Sequence, residues 1–334
     1  MRPRVSILLP ACNAERTLPA CLRSVARQRL RDWECVVVDD GSRDATGAIA
    51  RVFAAGDPRF RVLPIPHAGL VGALRAGLAR CRGDLVARMD ADDLMHRERL
   101  GAQAAALARD PGLSAVGCQV RLFPRSALTD GLLAYERWLN GIQTPRQLRA
   151  ESFVECPVAH PTLMIRRPVL AAAGYRDEGW PEDYDLILRL LSDGHKIGVV
   201  PRRLLAWRDQ PNRLWRTSAV YGLARFVALR ARFLATGFLS GEKKYVLWGY
   251  GETGKALRRA LAVEEKLPSH IVELHPGRLG KKIHGAPVIA PDALARMPRR
   301  PIVVSGARAK ARGEIRETLE GMGFRETAAF VCAA

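Results

Sequence analysis

The feature that most constrains the fold is a series of short apolar runs in the first ninety residues, separated by stretches with helical spacing. The runs lie at residues 5–10, 34–40, 60–64 and 84–89. They show no regular polar alternation, which is typical of strands that are buried on both faces of a parallel sheet. The sequence therefore predicts an α/β fold with a mainly parallel central sheet covered by helices.

Acidic residues follow two of these runs. Asp39 and Asp40 end the second run, and A-R-M-D-A-D-D-L places Asp90, Asp92 and Asp93 directly after the fourth. Ligands of open parallel sheets bind beyond the carboxyl ends of the strands. Two carboxylates two residues apart suit a hard divalent cation, which also offsets their mutual repulsion. The alternative is that these acids only cap the helix that follows.

The bulk composition limits what the chain does. Its 334 residues suggest two domains, and no apolar run reaches the ~18 residues of a membrane-spanning helix. Seven scattered cysteines without a C-x-x-C pair are typical of a reduced, cytoplasmic protein with no zinc site. The net charge of +19 attracts anions, but no nucleic-acid-binding motif gathers it. We expect no nucleic-acid partner and leave open a peripheral contact with the anionic inner face of the membrane.

The order of elements is less regular after residue 150. The segment W-P-E-D-Y-D-L-I-L-R-L is a loop that leads into an amphipathic helix, with the pair Glu182–Asp183 just ahead of it. A further helix is predicted as a connector before a second α/β unit begins. The predicted domains are residues 1–217, a helical connector at 218–242, and residues 243–334.

The second unit opens with a glycine-rich turn. G-Y-G-E-T-G contains Gly249, Gly251 and Gly254, follows an apolar strand and precedes a helix, and Glu273 comes about 20 residues later. This context predicts a small Rossmann-like α/β domain in which these four residues form a nucleotide-type site. The alternative is a glycine turn that serves packing alone.

Four segments, in this order and spacing, resemble those of the family 2 glycosyltransferases, which have the nucleotide-sugar-binding GT-A fold. The segments are V-S-I-L-L-P-A-C-N-A-E, C-V-V-V-D-D-G-S-R-D-A-T, A-L-R-A-G-L-A-R-C-R-G-D-L-V-A-R-M-D-A-D-D and W-P-E-D-Y-D-L-I-L-R-L. The resemblance covers roughly residues 3 to 218. It implies an inverting transferase that moves a sugar from a nucleotide-diphosphate donor, expected to be a UDP-sugar, to a hydroxyl of a glycan or lipid-linked acceptor. It also implies a divalent cation, Mn²⁺ or Mg²⁺.

The resemblance assigns roles to positions at the strand ends. Pro10, Ala11 and Asn13 match the segment that lines the nucleoside pocket, and Asp40 matches the residue that hydrogen-bonds the uracil ring. In the acidic cluster, Asp92 matches the direct metal ligand. Asp90 matches a metal-site residue that also faces the ribose, whereas Asp93 has no assigned role.

The segment W-R-D-Q-P-N-R at 207–213 resembles the loop that closes over the donor. Gln210 stands where that loop often has a histidine, and a carboxamide is a poor metal ligand. A third protein ligand is therefore in doubt, although Asp209 can substitute. The candidates for holding the diphosphate are Arg208, Arg213 and Arg216, because guanidinium groups match phosphate oxygens.

Sugar transfer with inversion requires a base that accepts the proton of the attacking hydroxyl. The resemblance favours Asp183, with Glu182 as a close second; the alternative is that the pair caps the helix at 184–191. His160, in V-A-H-P-T, matches a recurrent family segment and is either a contact to acceptor or phosphate or a core histidine. Arg75 replaces the asparagine that is common in the family, so donor contacts near it are expected to differ.

Two other functions stay open from the residues alone. The glycine-rich C-terminal unit is compatible with an NAD(P)-dependent oxidoreductase, although no catalytic set with a substrate domain accompanies it. A non-catalytic nucleotide-sugar-binding module is the second alternative, against which the intact D-A-D and E-D motifs argue.

Overall fold

The computed structural model describes residues 2–210, 213–306 and 308–334, except for the side chains of residues 214 and 215. The chain forms two compact units. The first consists of Met1–Leu148, Val158–Glu178 and Glu182–Arg216, and the second of Arg149–Pro157, Gly179–Pro181 and Thr217–Ala334. Among the described residues, no helix combines the length and the apolar character needed to span a bilayer.

The first unit is built on an eight-stranded sheet. Its strands are β1 (Val5–Ala11), β2 (Trp33–Asp40), β3 (Phe60–Ile65), β4 (Leu85–Arg88), β5 (Leu94–Met95), β6 (Leu113–Phe123), β7 (Met164–Arg166) and β8 (Lys196–Arg208), in the order β3-β2-β1-β4-β7-β6-β8-β5. The pairs within β3-β2-β1-β4 and the pair β6–β8 are parallel. Strand β7 runs antiparallel to both of its neighbours, and β5 to β8. The predicted mainly parallel sheet is confirmed.

Helices connect and cover these strands. They are α1 (Leu18–Ala26), α2 (Thr46–Gly56), α3 (Gly69–Leu78), α4 (Arg99–Arg109), α5 (Asp130–Gly141), α6 (Pro145–Glu151), α7 (Arg167–Ala173), α8 (Glu182–Ser192) and α9 (Leu214–Thr217). Every residue of β1 and β2 is buried, as their unbroken apolar runs require. Helix α8 begins at Glu182 rather than after Asp183, so both acids lie in its first turn, where the helix dipole favours negative charge.

The second unit holds a six-stranded sheet. Its elements are α10 (Leu223–Thr236), β9 (Lys244–Trp248), α11 (Glu252–Val263), β10 (Leu267–Val272), β11 (Lys282–Ile283), β12 (Ala286–Ile289), β13 (Ile302–Val304), α12 (Ala309–Gly321) and β14 (Phe330–Cys332). The strand order is β11-β12-β10-β9-β13-β14, and only the pair β11–β12 is antiparallel. The five parallel strands follow the order 3-2-1-4-5, which is five of the six positions of the doubly wound dinucleotide-binding sheet.

Helix α10 belongs to the core of the second unit. Ala231 and Leu234 are fully buried in the same cluster as residues of β9 and α11. The buried guanidinium of Arg230 donates to the carbonyl oxygens of Val154 and Ala333, at 3.1 and 3.2 Å. These bonds hold the chain terminus and the short segment 149–157 to the helix. The predicted limits 1–217, 218–242 and 243–334 stay a prediction; the longest stretch of the second compact unit starts at Thr217.

Candidate functional site

Three carboxylates converge where β4 ends. Oxygen atoms of Asp90, Asp92 and Asp93 all lie within 4.8 Å of one another. The register pairs Leu8 of β1 with Arg88 of β4, so the cluster lies at the carboxyl edge of the sheet, close to the end of β1. The chain turns tightly here, with the N–H of Asp93 donating to the carbonyl of Asp90. This turn brings three like charges together, which the spacing of the residues alone does not guarantee.

The electrostatics of this cluster favour a bound cation. Burial and the charge of Asp90 raise the pKa of Asp92 to about 6. Burial raises the pKa of Asp93 well above its usual range, with Asp90 and Asp92 as further causes. The Oδ2 atom of Asp93 is buried and has no hydrogen-bond partner. An all-oxygen donor set with an unsatisfied carboxylate oxygen fits Mg²⁺ or Mn²⁺.

A buried arginine that the sequence did not single out lies behind the acids. Arg88 is 3% exposed, and its guanidinium pairs with Asp90 at 2.6 Å. Burial lowers the pKa of Arg88, but the charges of Asp90, Tyr175 and Glu182 outweigh it and raise that pKa. The sequence feature that could have revealed Arg88 is its position as a charged residue inside the apolar run L-V-A-R-M. Arg88 thereby links the acidic cluster electrostatically to Glu182.

The end of β8 closes over the acidic cluster. The Arg208 N–H donates to Asp93 Oδ1 at 2.7 Å, and its Nε donates to the carbonyl of Asp92 at 2.7 Å. The Gln210 amide donates to Asp92 Oδ2 at 2.9 Å, so it acts as a hydrogen-bond donor to a candidate metal ligand. Asp209 is buried and pairs with Arg216, which makes it a poor substitute ligand. Of the predicted donor loop, residues 211 and 212 lie outside the described part of the chain.

The predicted nucleoside segment follows β1. Pro10 and Ala11 are buried strand residues, and Asn13 has a left-handed backbone with φ of 49°. The Asn13 N–H donates to Ser42 Oγ at 3.0 Å, and Asn13 Oδ1 accepts from the N–H of Arg43 at 2.9 Å. Asn13 therefore fixes the loop after β2 against the end of β1. The contact of this segment with a nucleoside stays a prediction.

Asp40 lies in a second cluster that the sequence did not reveal. It is 3% exposed; its Oδ1 accepts from the N–H of Ala68 at 2.7 Å, and its Oδ2 lies 3.0 Å from His67 Nδ1. Cys12 Sγ lies 3.9 Å from the same nitrogen. Sequence spacing did not indicate this cluster, because its three residues come from the ends of three different strands.

The E-D pair differs in exposure. Glu182 is 4% exposed and lies 3.8 Å from His160 Nδ1, whereas Asp183 is half-buried and its Oδ1 accepts from the N–H of Tyr184 at 2.7 Å. His160 is buried and contacts the Tyr175 hydroxyl at 3.1 Å. Burial and the charge of Arg88 lower the pKa of His160 well below its usual value, so the imidazole is neutral. His160 therefore lies next to Glu182. The predicted contact of His160 with acceptor or phosphate stays a prediction.

Arg75 lies on α3 and is directed at the same region. Its Nε donates to the carbonyl oxygen of Tyr175 at 2.9 Å. This contact joins α3 to the chain segment that follows α7. A shorter asparagine side chain would need a different arrangement to reach this carbonyl, which is consistent with the expected difference in local contacts.

The glycine-rich turn of the second unit lies between β9 and α11. Gly249 has φ of +92°, and a Cβ atom on Gly254 would lie 2.4 Å from the Gly249 carbonyl oxygen. A Cβ on Gly251 would meet nothing within 4 Å. Glu273 Oε1 accepts from the N–H of Tyr250 at 2.7 Å and pairs with Arg278 at 3.0 Å. Two glycines thus serve packing and backbone conformation, and the predicted nucleotide-type site stays a prediction.

Comparisons with known proteins agree on one family. The model described as Glycosyl transferase family 2 matches residues 6–173. The putative glycosyltransferase EpsE of Bacillus subtilis (strain 168) is 28% identical over 227 residues, which cover 66% of this chain and 78% of EpsE. The amylovoran biosynthesis glycosyltransferase AmsE of Erwinia amylovora is 28% identical over 249 residues, covering 72% and 91%.

A solved structure shares the fold. The crystal structure of S. aureus TarS 1-349 in complex with UDP-GlcNAc aligns with a TM-score of 0.57 and 17% sequence identity. The alignment covers 77% of this chain and 71% of the TarS chain. At this identity the likeness concerns the fold, which agrees with the predicted GT-A architecture.

Proposed function

The chain belongs to glycosyl transferase family 2, and from this premise we propose that it is an inverting, metal-dependent enzyme. It transfers a sugar from a nucleotide-diphosphate donor, a UDP-sugar, to a hydroxyl of a glycan or lipid-linked acceptor. The single observation that supports this most is the convergence of Asp90, Asp92 and Asp93 at the carboxyl edge of the sheet. This is the place where ligands of open α/β sheets bind.

The acidic cluster is the proposed donor-phosphate site. Asp92 and Asp90 would hold Mn²⁺ or Mg²⁺, which when bound neutralises the charge of the leaving nucleoside diphosphate. Arg208, on β8, already donates to the Asp93 carboxylate and to the carbonyl of Asp92, so it is placed to orient the diphosphate. The side-chain amide N–H of Gln210 donates to Asp92 Oδ2 and thereby fixes the direction of that carboxylate.

Asp183 is the proposed base. Its carboxylate takes the proton of the acceptor hydroxyl while the hydroxyl oxygen bonds to the anomeric carbon and the bond to the diphosphate breaks. Asp183 is half-buried and so reachable by an acceptor, whereas Glu182 is enclosed beside His160. The proposal therefore gives Glu182 a positioning role, and the neutral His160 avoids a competing positive charge beside it.

The nucleoside is proposed to bind at the ends of β1 and β2. Pro10, Ala11 and Asn13 form one wall, and Asp40 accepts a hydrogen bond from the base. UDP-GlcNAc is bound by TarS, which supports a uridine nucleotide. AmsE is named for amylovoran biosynthesis, which supports an acceptor in glycan assembly.

Thermal unfolding with nucleotide diphosphates tests the proposal. UDP at ~100 times its dissociation constant should stabilise the wild type by ~2.7 kcal/mol, and only when Mn²⁺ is present. Asp92→Ala should abolish this stabilisation. Asp177→Ala is the matched control, because Asp177 is an exposed acid of the same unit, and it should respond like the wild type.

Three other outcomes would contradict the proposal or a part of it. Stabilisation by UDP without any metal would remove the cation from it. Stabilisation by NAD(H) alone would favour the oxidoreductase alternative for the C-terminal unit. Metal-dependent UDP binding without release of UDP from any UDP-sugar, in the presence of a membrane-derived acceptor fraction, would favour the non-catalytic binding module.

A further inference from the structure

A thiol, a carboxylate and an imidazole, each able to bind a metal ion, lie close together at the same carboxyl edge of the first sheet as the acidic cluster. Cys12 follows β1, Asp40 ends β2, and His67 lies between β3 and α3. The thiol sulfur, a carboxylate oxygen and an imidazole nitrogen of these residues all lie within 4.8 Å of one another. Asp40 is buried, whereas Cys12 and His67 are exposed, so a cation from solvent reaches the group directly.

Two of the spacings within this group lie within about 0.4 Å of those in a tetrahedral zinc site. Zn–S, Zn–N and Zn–O distances of about 2.3, 2.0 and 2.1 Å place tetrahedral S and N atoms roughly 3.5 Å apart, and N and O atoms roughly 3.3 Å apart. The observed separations are 3.9 Å from Cys12 Sγ to His67 Nδ1 and 3.0 Å from His67 Nδ1 to Asp40 Oδ2. Because Cys12 and His67 are exposed, rotation of their side chains can adjust these distances to a bound ion.

The surroundings of the group orient it and attract a cation. The N–H of Ala68 holds Asp40 Oδ1, which leaves Oδ2 directed at the imidazole. Burial raises the pKa of the Cys12 thiol, and the charges of Asp40, Asp39 and Asp44 raise it further. The same negative charges favour an incoming cation. Zinc displaces one proton from the thiol to solvent, and the imidazole proton moves from Nδ1 to the exposed Nε2.

We propose that Cys12, Asp40 and His67 form a Zn²⁺ site that competes with the donor nucleobase. Thiolate and imidazole ligands select zinc over Mg²⁺ and Mn²⁺, which the all-oxygen cluster around Asp92 suits better. The competition rests on the proposed function, because Asp40 is the residue assigned to the base. Zinc binding itself does not depend on that assignment. The proposal departs from the expectation of no zinc site, which rested on the absence of C-x-x-C pairs.

Zinc binding is measured first, on the reduced, metal-free chain carrying Asp92→Asn to weaken the oxygen cluster. Zn²⁺ is titrated against a chromophoric chelator, and Co²⁺ replaces it for spectroscopy. One equivalent should bind, and Cys12→Ser and His67→Gln should each weaken binding by more than about tenfold. The thiolate-to-Co²⁺ charge-transfer band should vanish in Cys12→Ser. His96→Gln, at another exposed histidine, is the control and should bind like its parent.

Competition is measured next, on the chain with Asp92 intact and Mn²⁺ present. Zinc at a concentration that fills the proposed site should raise the apparent dissociation constant of UDP at least several-fold, and His67→Gln should remove this effect. Unchanged zinc affinity in both Cys12→Ser and His67→Gln would overturn the site. Zinc bound through both residues without any effect on UDP would overturn the competition and move the nucleobase away from Asp40, while metal-dependent UDP binding at Asp92 would still stand.

Discussion

The two sheets of this chain use their carboxyl edges differently. The edge of the first sheet gathers Asp90, Asp92 and Asp93, and one buried oxygen of Asp93 lacks a partner. At the edge of the second sheet, the acid Glu273 already has a backbone N–H and an arginine as partners. Both sheets contain a 3-2-1-4 order of parallel strands. A buried carboxylate oxygen lacks a partner at the first edge, whereas the acid at the second edge is paired.

This difference indicates which of the two edges requires a ligand. Buried polar groups in folded proteins are almost always hydrogen-bonded, so an exception points to a missing partner. The first edge has such an exception, and its carboxylate pKa values are raised in consequence of burial and mutual repulsion. The second edge resembles nucleotide-binding units in topology, but its contacts stabilise the turn without a ligand.

The largest expected effect concerns the base. Asp183→Asn keeps an oxygen for the N–H of Tyr184 but removes basicity, so turnover should fall by about 10²–10⁴-fold. Donor affinity should not change. The measurement is UDP release from a UDP-sugar with acceptor, together with UDP binding by thermal shift.

Asp193→Asn provides the matched control, since Asp193 directly follows the same helix and is exposed. It should retain wild-type turnover. If Asp183→Asn stays active and Glu182→Gln does not, Glu182 is the base and the exposure argument is wrong.

A buried arginine gives the largest expected effect on stability. Arg88→Met leaves Asp90 without its 2.6 Å partner, so the free energy of unfolding should fall by about 2–4 kcal/mol. Mn²⁺ should recover part of this loss, because a cation replaces the missing charge. Urea unfolding with and without Mn²⁺ measures both. Arg88→Lys should lose less stability than Arg88→Met. If Arg88→Met is as stable as the wild type, the carboxylates of the first edge do not need a cationic partner, which would contradict the comparison of the two edges.

The glycine-rich turn provides a test of the second edge. Gly254→Ala places a Cβ 2.4 Å from a backbone oxygen and should destabilise the chain by about 1–3 kcal/mol without changing UDP affinity. Gly251→Ala has open space and should cost less than about 1 kcal/mol. Urea unfolding checks both variants. If NAD(H) stabilises the wild type and Gly251→Ala abolishes that effect, the second edge binds a nucleotide after all.

The smallest expected effect is a pH dependence of the metal-free chain. Since the pKa of Asp92 is raised to about 6, the folded state binds its proton more tightly than the unfolded state does. Stability from this group should therefore increase as pH falls from 7 toward 4, by on the order of 1 kcal/mol. The difference in unfolding free energy between wild type and Asp92→Asn, with chelator, isolates it. If this difference in unfolding free energy does not change with pH, the pKa of Asp92 is not raised in the folded chain.

Sequence reasoning reached part of the site. The position of Asp90, Asp92 and Asp93 at the carboxyl edge of the sheet was predictable, because they directly follow a buried parallel strand. Their role as metal ligands came from the family resemblance and stays a prediction. The cluster of Cys12, Asp40 and His67 was not, because its members follow three separate strands. Arg88 was visible as a charge in an apolar run, but nothing in the sequence indicated which acid it would pair with.

The sequence by itself determined the α/β class, the parallel first sheet and the presence of a second unit, because buried parallel strands must be apolar on both faces and helices must connect them. Only the tertiary structure decided which side chains meet. Register and loop conformation set those distances, and neither follows from residue spacing. The strand register pairs Ala11 with Asp39, and the left-handed backbone at Asn13 fixes the adjoining loop. These two details bring Cys12 beside Asp40.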